Sequence, residues 1–215
     1  MTKHAEPSVR NLTRILRVST PDEIQKGLDW YADAHNIASG LAVKYDCTVS
    51  AVSGIIAALS PLQGWGENIS MAARFLEHGG LRSGYLRRGL VAADSIYRLA
   101  DPLAVLTGPK VRAFYLSILH AGETDAVCID RHMWSAAVNT RYSEGTMPRV
   151  TERRSRLAQD AVRKAARIWS RETDIQLFPA QAQAIIWTNW RRRFWSEGAF
   201  DGYVLPGEDG WTEAF

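Results

Sequence analysis

Between Thr48 and Ser60 lies Val49-Ser50-Ala51-Val52-Ser53-Gly54-Ile55-Ile56-Ala57-Ala58-Leu59, a run apolar on nearly every face of a helix. A helix of that kind has no side to show to water, so it must be surrounded by other elements. Thr48 is placed to cap it. The spacing therefore predicts a central buried helix over 49–60, and 215 residues that are 46% hydrophobic supply enough chain to enclose it.

The surrounding segments also carry helical signals. Thr20-Pro21-Asp22-Glu23 combines an N-cap, a proline suited to the first helical position and the acid of a capping box. It opens a helix to about Lys44, along which Ile24, Leu28, Tyr31, Ile37, Leu41 and Ala42 recur at helical spacing. Further helices are expected over 69–76, 84–99, 109–120, 130–140, 152–172 and 179–195, with a short turn at 101–106 and a loop between Ala121 and Cys128. Ser60-Pro61-Leu62-Gln63-Gly64 reads as a turn, and Glu197 to Phe215 as a clamp or a frayed tail. The expectation is an all-α fold.

Net charge is +3, but residues 149–195 hold eleven Arg or Lys against four Asp or Glu, leaving −4 for the rest. A local basic face suits a polyanion, and a solvated helix face explains it equally well. Cys47 and Cys128 are far apart and belong to no Cys/His cluster, so no metal site, iron–sulfur site or disulfide framework is expected. No stretch approaches the about 20 apolar residues of a membrane span, and residues 1–17 carry no signal-like apolar core. The expectation is an intracellular protein of the cytoplasm.

Two segments contain more than helix packing requires. In Leu106-Thr107-Gly108-Pro109-Lys110-Val111-Arg112, a tight turn opens a helix and presents unpaired N–H groups suited to a phosphate. The helix dipole disfavours Lys110 in that first turn unless an anion or a reaction uses it. An ordinary exposed lysine is the plain alternative. In Val127-Cys128-Ile129-Asp130-Arg131-His132-Met133-Trp134, an apolar approach ends in an acid that can simply cap the next helix.

The order of these pieces over about residues 50–140 resembles the helix-hairpin-helix DNA glycosylase superfamily, in particular its 8-oxoguanine glycosylase and endonuclease III-like branches. Ile55-Ile56-Ala57-Ala58-Leu59-Ser60-Pro61-Leu62-Gln63 is similar to the family's buried helix and Leu-Ser-x-Gln turn, with one extra residue before the Gln. Leu106 to Val111 is similar to the hairpin with its Schiff-base lysine, and Val127 to Trp134 to the stretch holding the family's essential aspartate. The separation of Lys110 and Asp130 is close to the family's. The hairpin departs from the pattern: Gly108 stands alone, and Pro109 lacks an N–H donor.

The resemblance implies a two-lobed fold with a cleft, residues 1–47 and 141–215 forming one lobe and 48–140 the helix-hairpin-helix lobe. It implies N-glycosylase chemistry, with possible lyase activity, on a base flipped out of DNA. Asp130 would stabilise the oxocarbenium-like sugar and Lys110, helped by Arg131, would attack C1′. His35, Gln63, Trp65 and Asn68 are the candidates for the base pocket, with Trp30 and Trp187 behind them; core packing is the alternative for the tryptophans. Gly108, Arg112, Arg191, Arg192 and Arg193 are the candidates for DNA contact. No cofactor and no metal is implied, and the partner is DNA, duplex or single-stranded, bound by a monomer. Because relatives of this fold occur in bacteriophages, in host cytoplasm beside enzymes that hypermodify thymine, a transferase on the same fold is a second expectation. A non-catalytic DNA-binding module is a third.

Overall fold

The computed structural model describes residues 6–81, 83–142 and 145–194, which form helices and connecting turns with no strand among them. The protein is all-α. The expected clamp or frayed tail over 197–215, with Trp195, lies outside the described residues.

The first helix, α1 (Val9–Val18), is not anticipated by the sequence reading, which starts the helical region at Thr20. Ser8 caps it by accepting from the Asn11 N–H, and Leu12, Ile15 and Leu16 form its buried stripe. Its packing on later helices stabilises a segment whose other residues, Val9 and Val18 apart, are polar. Next, α2 (Pro21–Lys44) begins at the expected capping box: Thr20 Oγ1 accepts from the Glu23 N–H, and Glu23 accepts from the Thr20 N–H.

Thr48 caps α3 (Val49–Leu59), in which every residue from Val52 to Leu59 is buried. The helix expected at 69–76 begins earlier, as α4 (Trp65–Glu77), because Gly64 serves as its N-cap. There follow α5 (Arg87–Tyr97), α6 (Pro102–Val105), α7 (Pro109–Leu119) and α8 (Arg131–Val138). The chain closes with α9 (Glu152–Thr173) and α10 (Pro179–Phe194). The turn expected at 101–106 thus contains one short helix, capped by Asp101 and opened by Pro102.

Two apolar clusters divide the interior. The first gathers α3, α4, α5 and α7 around Ile55, Leu59, Phe75 and Ile118. The second joins α1, α8 and α9 around Leu16, Met133, Ala165 and Ile185. Around residue 128 the chain meets both: Cys128 belongs to the first cluster, while Val127, Ile129, Met133 and Trp134 pack with the N- and C-terminal helices in the second. Helix α8 correspondingly packs against α1, α9 and α10.

Helices α2 and α10 serve both clusters. On α10, Ala180 and Ala184 face the first, and Ile185, Ile186 and Trp190 face the second. The approach of α10 to α2 depends on Gly27, since a Cβ there would lie 2.4 Å from Ile185 Cγ1 and 2.5 Å from its Cα. Glu23, 4% exposed, reinforces the crossing by accepting from Asn189 Nδ2 at 3.0 Å.

Candidate functional site

A cleft of about 1330 Å³ runs between the two clusters. The N-termini of α4, α5 and α7 open onto it through Gly64, Leu86 and Gly108, none of which caps its helix with a side chain. Uncapped N-terminal N–H groups and the positive ends of three helix dipoles favour an anion there. Among the described residues, five cationic side chains, Arg88, Lys110, Arg131, Arg141 and Arg191, also line the cleft, against one carboxylate, that of Asp130.

Lys110 and Asp130 therefore share one cavity. Lys110, half-buried in the first turn of α7, makes no hydrogen bond or ion pair among the described residues. Asp130 is the N-cap of α8, where Oδ1 accepts from the Met133 N–H at 2.7 Å. Its second oxygen, Oδ2, accepts from the Trp187 indole N–H at 3.0 Å. Cap and indole together fix the carboxylate plane. That both residues occupy one neighbourhood is visible in their fields: each acts on the Cys128 thiol and on the His132 ring.

Burial dominates at both of those groups. It pushes the Cys128 thiol up to about 12, with the nearby Lys110 working in the opposite direction. The side chain is therefore an inert thiol and no nucleophile. Burial also lowers His132 to about 4, opposed by Asp130 and assisted by Arg191, Arg131 and Lys110. A neutral imidazole follows at physiological pH, and its Nε2 accepts from Arg131 Nε at 3.2 Å. Arg191, 6% exposed, lies with its guanidinium 4.8 Å from the Trp187 ring centroid.

Of the expected pocket residues, Gln63, Trp65 and Asn68 line the cleft. His35 does not. It sits half-buried on α2 and donates from Nδ1 to the Ile118 carbonyl at 3.0 Å, tying α2 to α7. Its place on the apolar face of α2 suggested the pocket, but that part of the helix points into the α2–α7 contact. Trp30 and Trp187 are cleft-wall residues rather than distant support.

Gly108 and Arg191 are in the cleft, but Arg112, Arg192 and Arg193 are not. Arg112 folds back to donate to the Leu106 carbonyl, and Arg193 donates to the Val18 carbonyl. Arg192 lies beside Asp22 and Glu23 at 4.0 and 3.7 Å. The triplet that reads as one basic patch thus separates, because successive residues of α10 point in different directions. Sequence reasoning missed Arg88, Arg141 and Tyr142 as cleft residues, and no local pattern marks them.

Among the described residues no helix is by itself long and apolar enough to cross a membrane, and no group of His, Cys, Asp and Glu could hold a metal ion. Comparison with curated proteins and with solved structures yields no match. A family pattern covers residues 2–194, and by that coverage the chain belongs to DUF7178, a family of unknown function.

Proposed function

We propose that the protein is a DNA base-processing enzyme, an N-glycosylase with lyase capacity, built on a two-lobed helix-hairpin-helix glycosylase-like fold. One observation carries the reading: among the described residues, a lysine without a hydrogen bond or ion pair and an oriented aspartate share a cleft lined by five cations and three helix N-termini that no side chain caps. Such a cleft attracts a phosphodiester backbone, and an aromatic wall that includes Trp30, Trp65 and Phe114 suits a base taken out of the stack.

In this chemistry the Lys110 amine forms the bond to C1′ while the N-glycosidic bond breaks with its electron pair on the departing base, which takes up a proton. Asp130 faces the positive charge that develops on the sugar. Opening of the sugar ring and loss of a proton from the amine give the Schiff base. The dual hold on Asp130 also favours a second reading, in which the residue only caps α8 and the cleft binds DNA without reaction.

Borohydride trapping separates the two. Oligonucleotides carrying an abasic site or a panel of modified bases are incubated with the native protein, Lys110→Gln and Asp130→Asn. A covalent adduct that is lost in Lys110→Gln supports the glycosylase-lyase reading. DNA binding with neither adduct nor base release across the panel supports the binding module, and a mass gain on an intact nucleotide supports a transferase.

A further inference from the structure

Three aromatic rings meet on one wall of the cleft. Trp30 from α2, Trp65 from α4 and Phe114 from α7 pack with ring centroids 5.2 Å apart for Trp30–Trp65, 5.9 Å for Trp30–Phe114 and 6.3 Å for Trp65–Phe114. Their polar atoms are anomalous. The indole N–H groups of Trp30 and Trp65, and Oδ1 of Asn68 one helical turn beyond Trp65, are sealed from solvent without a hydrogen-bond partner. All three side chains are more than nine-tenths buried, at 6%, 2% and 2% exposure, and all three line the cleft. Buried polar groups are nearly always paired; the indoles of Trp134 and Trp190 are unpartnered too but lie away from the cleft, whereas these three orphans sit together on its wall, where a partner can arrive from outside.

The geometry points to this wall as the reader of an imide edge, the O=C–NH–C=O grouping of a flat heterocycle. Two indoles can only donate and the amide oxygen can only accept, so the ligand must offer two acceptors and one donor. An imide does so with its two carbonyl oxygens on opposite sides of its N–H, which suits two donors brought from two different helices, Trp30 from α2 and Trp65 from α4. Cytosine also offers two acceptors and a donor, but its acceptors O2 and N3 are neighbours on one side of the donor, a poorer match for donors that come from separate helices. Uracil-type pyrimidines carry the imide on their pairing edge, and 6,8-dioxopurines such as 8-oxoguanine carry the same acceptor–donor–acceptor order on their O6–N7–O8 edge. The orphan atoms have no access to solvent, so reading an edge requires the packed rings of Trp30, Trp65 and Phe114 to part, and the three recovered hydrogen bonds offset that opening.

This inference deepens the reading of the cleft as a base-processing site, and its test involves neither DNA nor bond cleavage. The chain has eight tryptophans, each with one indole N–H resonance in a ¹⁵N-resolved spectrum. Trp30→Phe and Trp65→Phe, which keep a ring and delete the donor, assign the two resonances. Native protein is titrated with uridine, thymidine, 8-oxo-2′-deoxyguanosine, 3-methyluridine and cytidine.

The expected result is a shift of the Trp30 and Trp65 resonances with the imide nucleosides, and binding weaker by about tenfold or more for 3-methyluridine and cytidine. Preference between uridine or thymidine and the 8-oxopurine tells which source of the imide is read. Equal binding of 3-methyluridine, stronger binding of cytidine, or no movement of either resonance overturns the assignment, on native protein alone if a variant fails to fold. Imide binding with no base release from DNA retains the reader and discards the glycosylase; base release with no such shifts does the reverse.

Discussion

The indole of Trp187 holds the carboxylate of Asp130 across 57 positions of sequence, with Nε1 donating to Oδ2 at 3.0 Å. Oδ1 meanwhile receives the Met133 N–H. One carboxylate thus ends a helix and joins α8 to α10, two roles that substitutions can separate. Asparagine caps about as well as aspartate, but its single oxygen cannot accept from both the Met133 N–H and the Trp187 indole, so Asp130→Asn is expected to cost about 1 kcal/mol through the lost indole bond. Asp130→Ala removes the cap and leaves the indole unpaired, with an expected loss of about 1–2 kcal/mol. Urea denaturation of both variants checks this, and loss of base release in the well-folded Asp130→Asn would place the residue in the chemistry.

Lys110 makes no ion pair or hydrogen bond among the described residues, and so stabilises little by direct contact. Lys110→Gln is expected to stay within about 0.5 kcal/mol of the native protein in denaturant. Its effect should appear in DNA affinity, where loss of one phosphate-neutralising charge lowers the slope of log K against log salt by about one. An unchanged slope would remove Lys110 from the polyanion surface.

His132 links the cleft to pH. Its folded value of about 4 lies below the ordinary 6.5 because the ring is buried. Between those values the unfolded chain binds the proton and the folded protein does not, so stability falls as pH drops from 6.5 toward 4. The loss attributable to this group approaches about 3 kcal/mol at the acid end. His132→Gln should flatten that part of the stability curve, as read by thermal unfolding at half-unit pH steps.

Gly27→Ala is expected to be among the most damaging small substitutions. The added methyl would meet Ile185 backbone as well as side chain, at 2.5 Å from Cα and 2.7 Å from N, so no rotamer change relieves it. A loss of about 3 kcal/mol or more, or failure to accumulate as folded protein, follows from forced separation of α2 and α10. Calorimetry of the purified variant decides it.

The legible parts of this molecule are those written in short range. Thr20, Glu23 and Thr48 announce their helices because capping is settled within four consecutive residues, and the run to Leu59 announces its burial because it has no polar face. The turn at Gly108 and the acid at Asp130 are similarly local, and both line the cleft. What stayed hidden is set by long-range packing. Nothing near Ser8 shows that α1 will find α9 to lie on, and nothing near His35 shows that the Ile118 carbonyl will take its N–H. Arg191, Arg192 and Arg193 look equivalent in sequence, yet one is buried over Trp187, one faces Glu23 and one reaches Val18.

The sharing of α2 and α10 between both apolar clusters limits how the molecule can move. Two bodies joined by loops open like a book, but here the spine runs as continuous helix through both covers and is locked at Gly27 and at the Glu23–Asn189 bond. The walls should exchange their amide hydrogens together, as one cooperative unit, and a ligand would then be admitted by rotation of side chains rather than by hinging of halves.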